Sequence, residues 1–137
     1  MALDPALAGR TFPPTPPYTV SREKIFEFTS AIGAEPADSP DLAPLTFAIV
    51  VAFQAMTNLM TDPDVGIELH NVVHGDQRFE YVRPIRSGDR LTATLTIDDI
   101  RVAAGMDMIA TRTEIATDDG EPVSTAFATL VHRRGQP

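Results

Sequence analysis

No cysteine occurs anywhere among the 137 residues. That excludes disulfides, thiolate metal sites and a cysteine nucleophile, so packing must hold the fold together. Basic residues are also scarce: 11 Lys and Arg against 19 Asp and Glu leave a net charge of −8. Nucleic-acid binding needs a concentrated positive surface, and this balance argues against such a partner. Long hydrophobic runs are missing too. The most apolar stretch, LTFAIVVAFQAMTNLM at 45–60, is short for a bilayer and is interrupted by Gln54 and Asn58. The start, MALDPALAGR, has no basic residues followed by an apolar core, so no signal peptide is read there. No serine sits in a G-x-S-x-G setting, and no glycine-rich phosphate loop is found. The expectation is a cytoplasmic protein without a membrane segment.

What is present reads as one globular domain, residues 1–137, with 43% hydrophobic and 22% charged residues excluding wholesale disorder. Residues 10–18, RTFPPTPPY, hold four prolines and call for extended or polyproline backbone. Ser21 stands in an N-cap position before Ile25, Phe28 and Ile32 at helical spacing, and Gly33 supplies a stop. A helix over residues 22–32 follows. AEPADSPDLAP at 34–44 is loop. From Thr46 to Met60, with Pro44 just before the first turn, the residues Phe47, Ile49, Val50, Val51, Phe53, Met56 and Leu59 cover every side of a helical wheel. Such a helix is expected to be wrapped by other structure on all sides.

After TDPDVG at 61–66 the period changes to two. Leu91, Ala93, Leu95 and Ile97 alternate with Thr92, Thr94 and Thr96, which predicts a half-buried strand with a threonine face. Gly105 marks a turn, and Asp119–Gly120 joins two further runs as a hairpin. With the 67–83 segment this makes four consecutive strands after an apolar helix. An antiparallel sheet curled around one long buried helix, an α+β fold of the hot-dog kind, satisfies both elements.

The chemistry-bearing residues concentrate in NVVHGDQRFEY at 71–81. In an unbroken strand His74 and Asp76 share a face with Arg78 and Glu80, as part of an outer charged ladder, while Gln77 shares the other with Phe79 and Tyr81. Gly75 complicates this, because a glycine inside a strand often marks a bulge that re-aims its neighbours. Gln77 is an amide among apolar residues; it needs either backbone partners or a polar part of a ligand. Metal binding by His70, His74 and Asp76 is not expected, since strand residues four apart stand about 13 Å apart. His132, beside arginines, is expected at the surface. Arg83, Arg86 and Arg90 in RPIRSGDR read either as a solvated turn or as a docking patch for an acidic partner.

At LAPLTF (42–47), VVHGDQRFEYVRPIRSGDRL (72–91) and DDGEPVSTAFATLVHR (118–133) the chain resembles the MaoC-like dehydratase N-terminal family. That family includes the non-catalytic subunits of actinobacterial (3R)-hydroxyacyl-acyl-carrier-protein dehydratases. The resemblance implies a single hot dog working in a two-hot-dog dimer, with a thioester-linked acyl chain in a tunnel between subunits. It implies no cofactor. Hydratases of the superfamily carry a catalytic Asp and His in a G-D-x-N-P-x-H segment after the first helix. The corresponding AIGAEPADSP puts Ala34 at the aspartate when Gly33 is matched, and Asp38 at the histidine when Pro36 is matched. Glu35 is a stand-in acid with no imidazole beside it.

The resemblance therefore implies a supporting subunit for acyl-CoA or acyl-carrier-protein substrates in fatty-acid metabolism. It would act as a homodimer or, with the Asp/His pair on its partner, as a heterodimer with a catalytic hot-dog subunit. Gln77 and the helix start at Leu45, Thr46 and Phe47 are the candidates to line the tunnel, with His74 and Asp76 as weaker catalytic candidates. Arg83 and Arg86 are candidates to meet a carrier protein or a phosphopantetheine phosphate. Two other classes stay open: a self-sufficient thioesterase activating water with Glu35, Asp38 or Asp76, and a non-enzymatic acyl-thioester-binding protein.

Overall fold

The computed structural model describes residues 3–134. A two-residue strand β1 (Tyr18–Thr19) and helix α1 (Arg22–Ala31) precede the central helix α2 (Ala48–Thr61). Four long strands follow: β2 (Val72–Tyr81), β3 (Arg90–Ala103), β4 (Met106–Thr117) and β5 (Pro122–Arg133). All pairings are antiparallel, in the order β1-β3-β4-β5-β2. The Ser21 hydroxyl accepts the Lys24 N–H at 3.0 Å, which fixes the start of α1 as its cap position required.

The sheet curls over α2, and the core lies between them. Leu91, Ala93, Leu95 and Ile97 of β3 and Ile109 and Ile115 of β4 point inward, fully enclosed, against Val51, Ala55, Met56 and Leu59. The helix is not wrapped on every side, however. Phe53 is 46% exposed, and Ile49, Val50 and Met60 are half-buried. A five-stranded sheet presents one concave face, so α2 keeps an apolar flank that this chain alone does not cover.

The two sheet edges are treated differently. Along β3 the proline-rich segment acts as an irregular extra strand: the N–H groups of Gly9, Phe12 and Thr15 donate to the carbonyls of Ile97, Leu95 and Ala93 at 2.7, 2.9 and 3.0 Å. The Ile97 N–H returns to Arg10, and the Ala93 N–H goes to the Thr15 hydroxyl. Prolines have no N–H to offer a further chain, so this edge is closed to growth. β2, at the opposite end of the order, has no such cover among the described residues.

His132 is not at the surface as expected. Alternation along β5 aims it inward with Ser124, Ala126, Ala128 and Leu130, and it is 3% exposed. Its Nε2 accepts the Glu68 N–H at 3.1 Å, so the ring proton sits on Nδ1 and is donated to Asp107, also at 3.1 Å. The fully enclosed Asp107 carboxylate further accepts from Arg134 and from the Leu3 N–H. This cluster ties the N-terminal segment, β4, β5 and the approach to β2 at one point. Replacing His132 by alanine strips one partner from a buried carboxylate, leaves the Glu68 N–H without its acceptor and opens a cavity. We expect a loss of about 2–4 kcal/mol in unfolding free energy, read from urea melts.

Candidate functional site

The bulge that Gly75 hinted at is present. The register of β2 on β5 shifts between His74 and Asp76, with His74 opposite Leu130 and Asp76 opposite Thr129. A Cβ at position 75 would lie 3.2 Å from the Thr129 carbonyl oxygen, tighter than a side chain tolerates without movement. The Asp76 carboxylate accepts the Thr129 N–H at 3.0 Å, supplying a partner where the ladder is interrupted. The His–Asp pair of the sequence is thereby split. Asp76 joins the outer face with Arg78 and Glu80, while His74 turns to the helix side.

Gln77 lies opposite the buried Ala128, so it too faces the helix side, as its place in the strand predicted. Its Oε1 lies 2.9 Å from His74 Nε2. Beside them, between α2 and the start of β2, is an apolar pocket of about 290 Å³ lined by Phe53, Met56, Met60, Leu69, Val72, His74 and Leu130. At the far end of β2 the Tyr81 hydroxyl donates to the Leu45 carbonyl. Burial pushes the Tyr81 phenol above its ordinary value, opposed by a backbone N–H of Ala48. β2 therefore runs antiparallel to α2, leaving a helix–strand groove open along the uncovered edge.

The short turn Leu45–Phe47 sends its side chains different ways. Leu45 is 69% exposed and Thr46 is exposed, whereas Phe47, expected at a tunnel wall, is fully enclosed edge-on against Phe28 with ring centroids 5.4 Å apart. A cavity of about 180 Å³ lies between α1 and the 34–42 loop, walled by Ile25, Phe26, Thr29, Pro36 and Leu42. Glu35 and Asp38 are exposed and absent from its lining. The chain's histidines are elsewhere: His70 and His74 at the start of β2, and His132 with both ring nitrogens engaged. Among the described residues no three metal-ligating side chains come together.

The arginines of the 83–90 segment have different fates, and Arg90 pairs with Asp118 across the sheet. Arg83 is held by Asp89 at 3.0 and 3.1 Å and by Glu121 at 2.5 Å, and these hydrogen bonds raise its guanidinium above its ordinary range. Burial is the largest single influence on Asp89 and raises it. Hydrogen bonds from Arg83 and the Arg86 N–H, with the charges of both arginines, together hold it below the ordinary carboxylate range. The Arg86 side chain is exposed and meets no partner among the described residues.

A family model described as FAS1-like, dehydratase domain region, matches residues 6–126. The chain belongs to that family. It is a hot-dog protein of the MaoC-like dehydratase group. A UPF0336 protein of Streptomyces coelicolor is 46% identical over 99% of both chains, and one of Saccharopolyspora erythraea is 45% identical over 97% of this chain and 93% of its own. Among solved structures, a chain of the C-terminally truncated HadBC (3R-hydroxyacyl-ACP dehydratase) complex of Mycobacterium tuberculosis is 30% identical. It has a TM-score of 0.78 and covers 91% of this chain and 96% of that one. A MaoC-like dehydratase with TM-score 0.80 and 27% identity covers 95% of this chain, which spans 43% of that longer protein. No helix among the described residues is long and apolar enough to cross a membrane.

Within this dehydratase-family fold Arg83 braces the turn before β3. We expect Arg83→Met to cost about 1–2 kcal/mol at neutral pH. Because the folded Asp89 carboxyl is held low, the contribution is intact above the unfolded value of about 3.9 and is lost as pH falls through the lower folded one. Urea melts at neutral pH and in increasingly acid buffer should show the wild type and variant converging as the pH falls.

Proposed function

We propose that this chain is the non-catalytic, tunnel-forming subunit of a (3R)-hydroxyacyl-thioester dehydratase, working on acyl-CoA or acyl-carrier-protein substrates in fatty-acid metabolism. Dehydration requires a base for the α-proton, an acid for the leaving hydroxyl and donors for the enolate-like oxygen. One observation carries the reading: the loop at 34–42 offers two exposed carboxylates, no imidazole, and neither acid in its cavity wall. The acid–base pair must come from a second chain.

The surface that would receive it is the open β2 edge together with the uncovered flank of α2. An unpaired strand beside an exposed phenylalanine is costly in water and fits a second hot dog laid edge to edge. The neighbouring Mycobacterium tuberculosis structures, HadBC and ChsH1–ChsH2, are complexes of two named components, which agrees with such a pairing. So does the MaoC-like dehydratase of more than twice this length, which has room for a second domain of this size in one chain. In the assembled dimer the groove between α2 and β2 becomes a closed tunnel. Gln77, Leu45 and Thr46 line it. Arg86, the free guanidinium of its turn, meets the carrier or phosphopantetheine end, and Arg83 sets that turn's shape.

The test is hydration of a trans-2-enoyl-CoA by the purified chain alone and after mixing with the catalytic hot-dog subunit encoded nearest to it. We expect turnover only in the mixture. Robust hydration by the chain alone, abolished by His74→Ala, would overturn the reading, and thioester cleavage alone would point to a hydrolase. Phe53→Asp replaces a side chain that is 46% exposed in the isolated fold. It should leave the thermal melt of the single chain nearly unchanged while removing both heterodimer formation in size-exclusion chromatography and activity in the mixture.

A further inference from the structure

An edge strand that served only to close a sheet would have no use for His-Gly-Asp-Gln at its centre. Gly75 is there because a Cβ would press on the Thr129 carbonyl, and Asp76 because the Thr129 N–H needs a partner. What these two residues achieve is a change of facing. Residues three apart on a regular strand point to opposite sides, and the extra residue of the bulge brings His74 and Gln77 to the same one.

Their contact fixes the hydrogen-bond roles. Gln77 Oε1 can only accept, so His74 Nε2 carries the proton of the neutral ring and donates it. Nδ1 is left as an acceptor, with no donor facing it among the described residues. The Gln77 amide nitrogen makes one long contact of 3.4 Å to the Arg78 carbonyl, leaving a second N–H without a partner. His74 thus brings its acceptor to the wall of a pocket otherwise lined by Phe53, Met56, Met60, Leu69, Val72 and Leu130, and the Gln77 donor adjoins that wall through its contact with His74.

We propose that this pair holds the polar end of a 3-hydroxyacyl thioester, His74 Nδ1 accepting from the 3-hydroxyl and the Gln77 amide donating to the thioester carbonyl. The inference rests on the subunit reading above. Two like folds joined edge to edge about a two-fold axis set their β2 strands antiparallel. Because β2 also runs antiparallel to α2, the His74 end of this chain then faces the helix-start end of its partner, where a catalytic subunit carries its acid–base segment. His74 and Gln77 are binding residues for the reacting group, and the proton transfers stay with the partner.

The test uses the active complex with (3R)-3-hydroxyoctanoyl-CoA and trans-2-octenoyl-CoA. His74→Leu should raise the dehydration KM about three- to tenfold, the worth of one hydrogen bond, with kcat little changed. In hydration the enoyl KM should hold and kcat should fall by the same factor, because the overall equilibrium constant is fixed. His74→Gln, which restores an acceptor, should recover most of the loss, and Gln77→Leu should raise KM in both directions. Unchanged constants would overturn the proposal. So would loss of a limb of the pH–rate profile in His74→Leu, which would make His74 an acid or base. An inactive wild-type mixture would sink the subunit reading by itself. Binding to this chain alone would then decide the pair: a preference for 3-hydroxyoctanoyl-CoA over octanoyl-CoA that His74→Leu removes supports it, and equal binding overturns it.

Discussion

Backbone N–H and C=O groups at the edge of a sheet must find water or another chain, and an edge flanked by apolar surface cannot rely on water alone. In this molecule that constraint is met on one side and left open on the other. The proline-rich segment seals β3 with three N–H donors and, at its four prolines, has no N–H to offer a further strand. β2 has no counterpart to that seal among the described residues, and the half-exposed flank of α2 lies beside it. The asymmetry makes pairing at β2 finite. A second fold can join there, while the sealed edge prevents sheets from adding without end.

The same strand shows how a short motif can mislead by its composition. His74 and Asp76 suggest acid–base chemistry by proximity, but the bulge puts them on opposite faces and commits the aspartate to a backbone N–H. A second His–Asp contact, His132 with Asp107, is closer to the hydrogen-bond pattern of a catalytic dyad. It too is structural, since the nitrogen that would act as base is occupied by the Glu68 N–H. Proximity of residue types is a weaker guide than the account of each lone pair and proton.

Much of the architecture was legible before any coordinates because local rules agreed with one another. The Ser21 cap, the alternation of β3 and the Asp119–Gly120 turn each specify their element without reference to the rest of the chain. The missing histidine in the 34–42 loop was equally plain. What could not be read depends on partners distant in sequence. The bulge is defined by Thr129, and the burial of His132 by Asp107 and Glu68. The enclosure of Phe47 is set by Phe28, since a turn of three residues sends one side chain inward without the sequence saying which. The open flank of α2 was missed for a different reason. Periodicity marks a helix as apolar on all sides, but it does not say that the helix's own chain covers every one of them.

The order of the strands has a consequence for synthesis. β2 precedes β3 and β4 in sequence, yet among the described residues its neighbour in the sheet is β5, the last of the five strands. A nascent chain can pair β3 with β4, and can lay its already emerged proline segment along β3, while β2 still has nowhere to dock. The strand proposed as the joining surface is thus the last to be fixed in place. A chain truncated before β5 would present no ordered β2 edge, so a partner recognising that edge would pass over incomplete copies, and assembly would carry its own check that translation had finished.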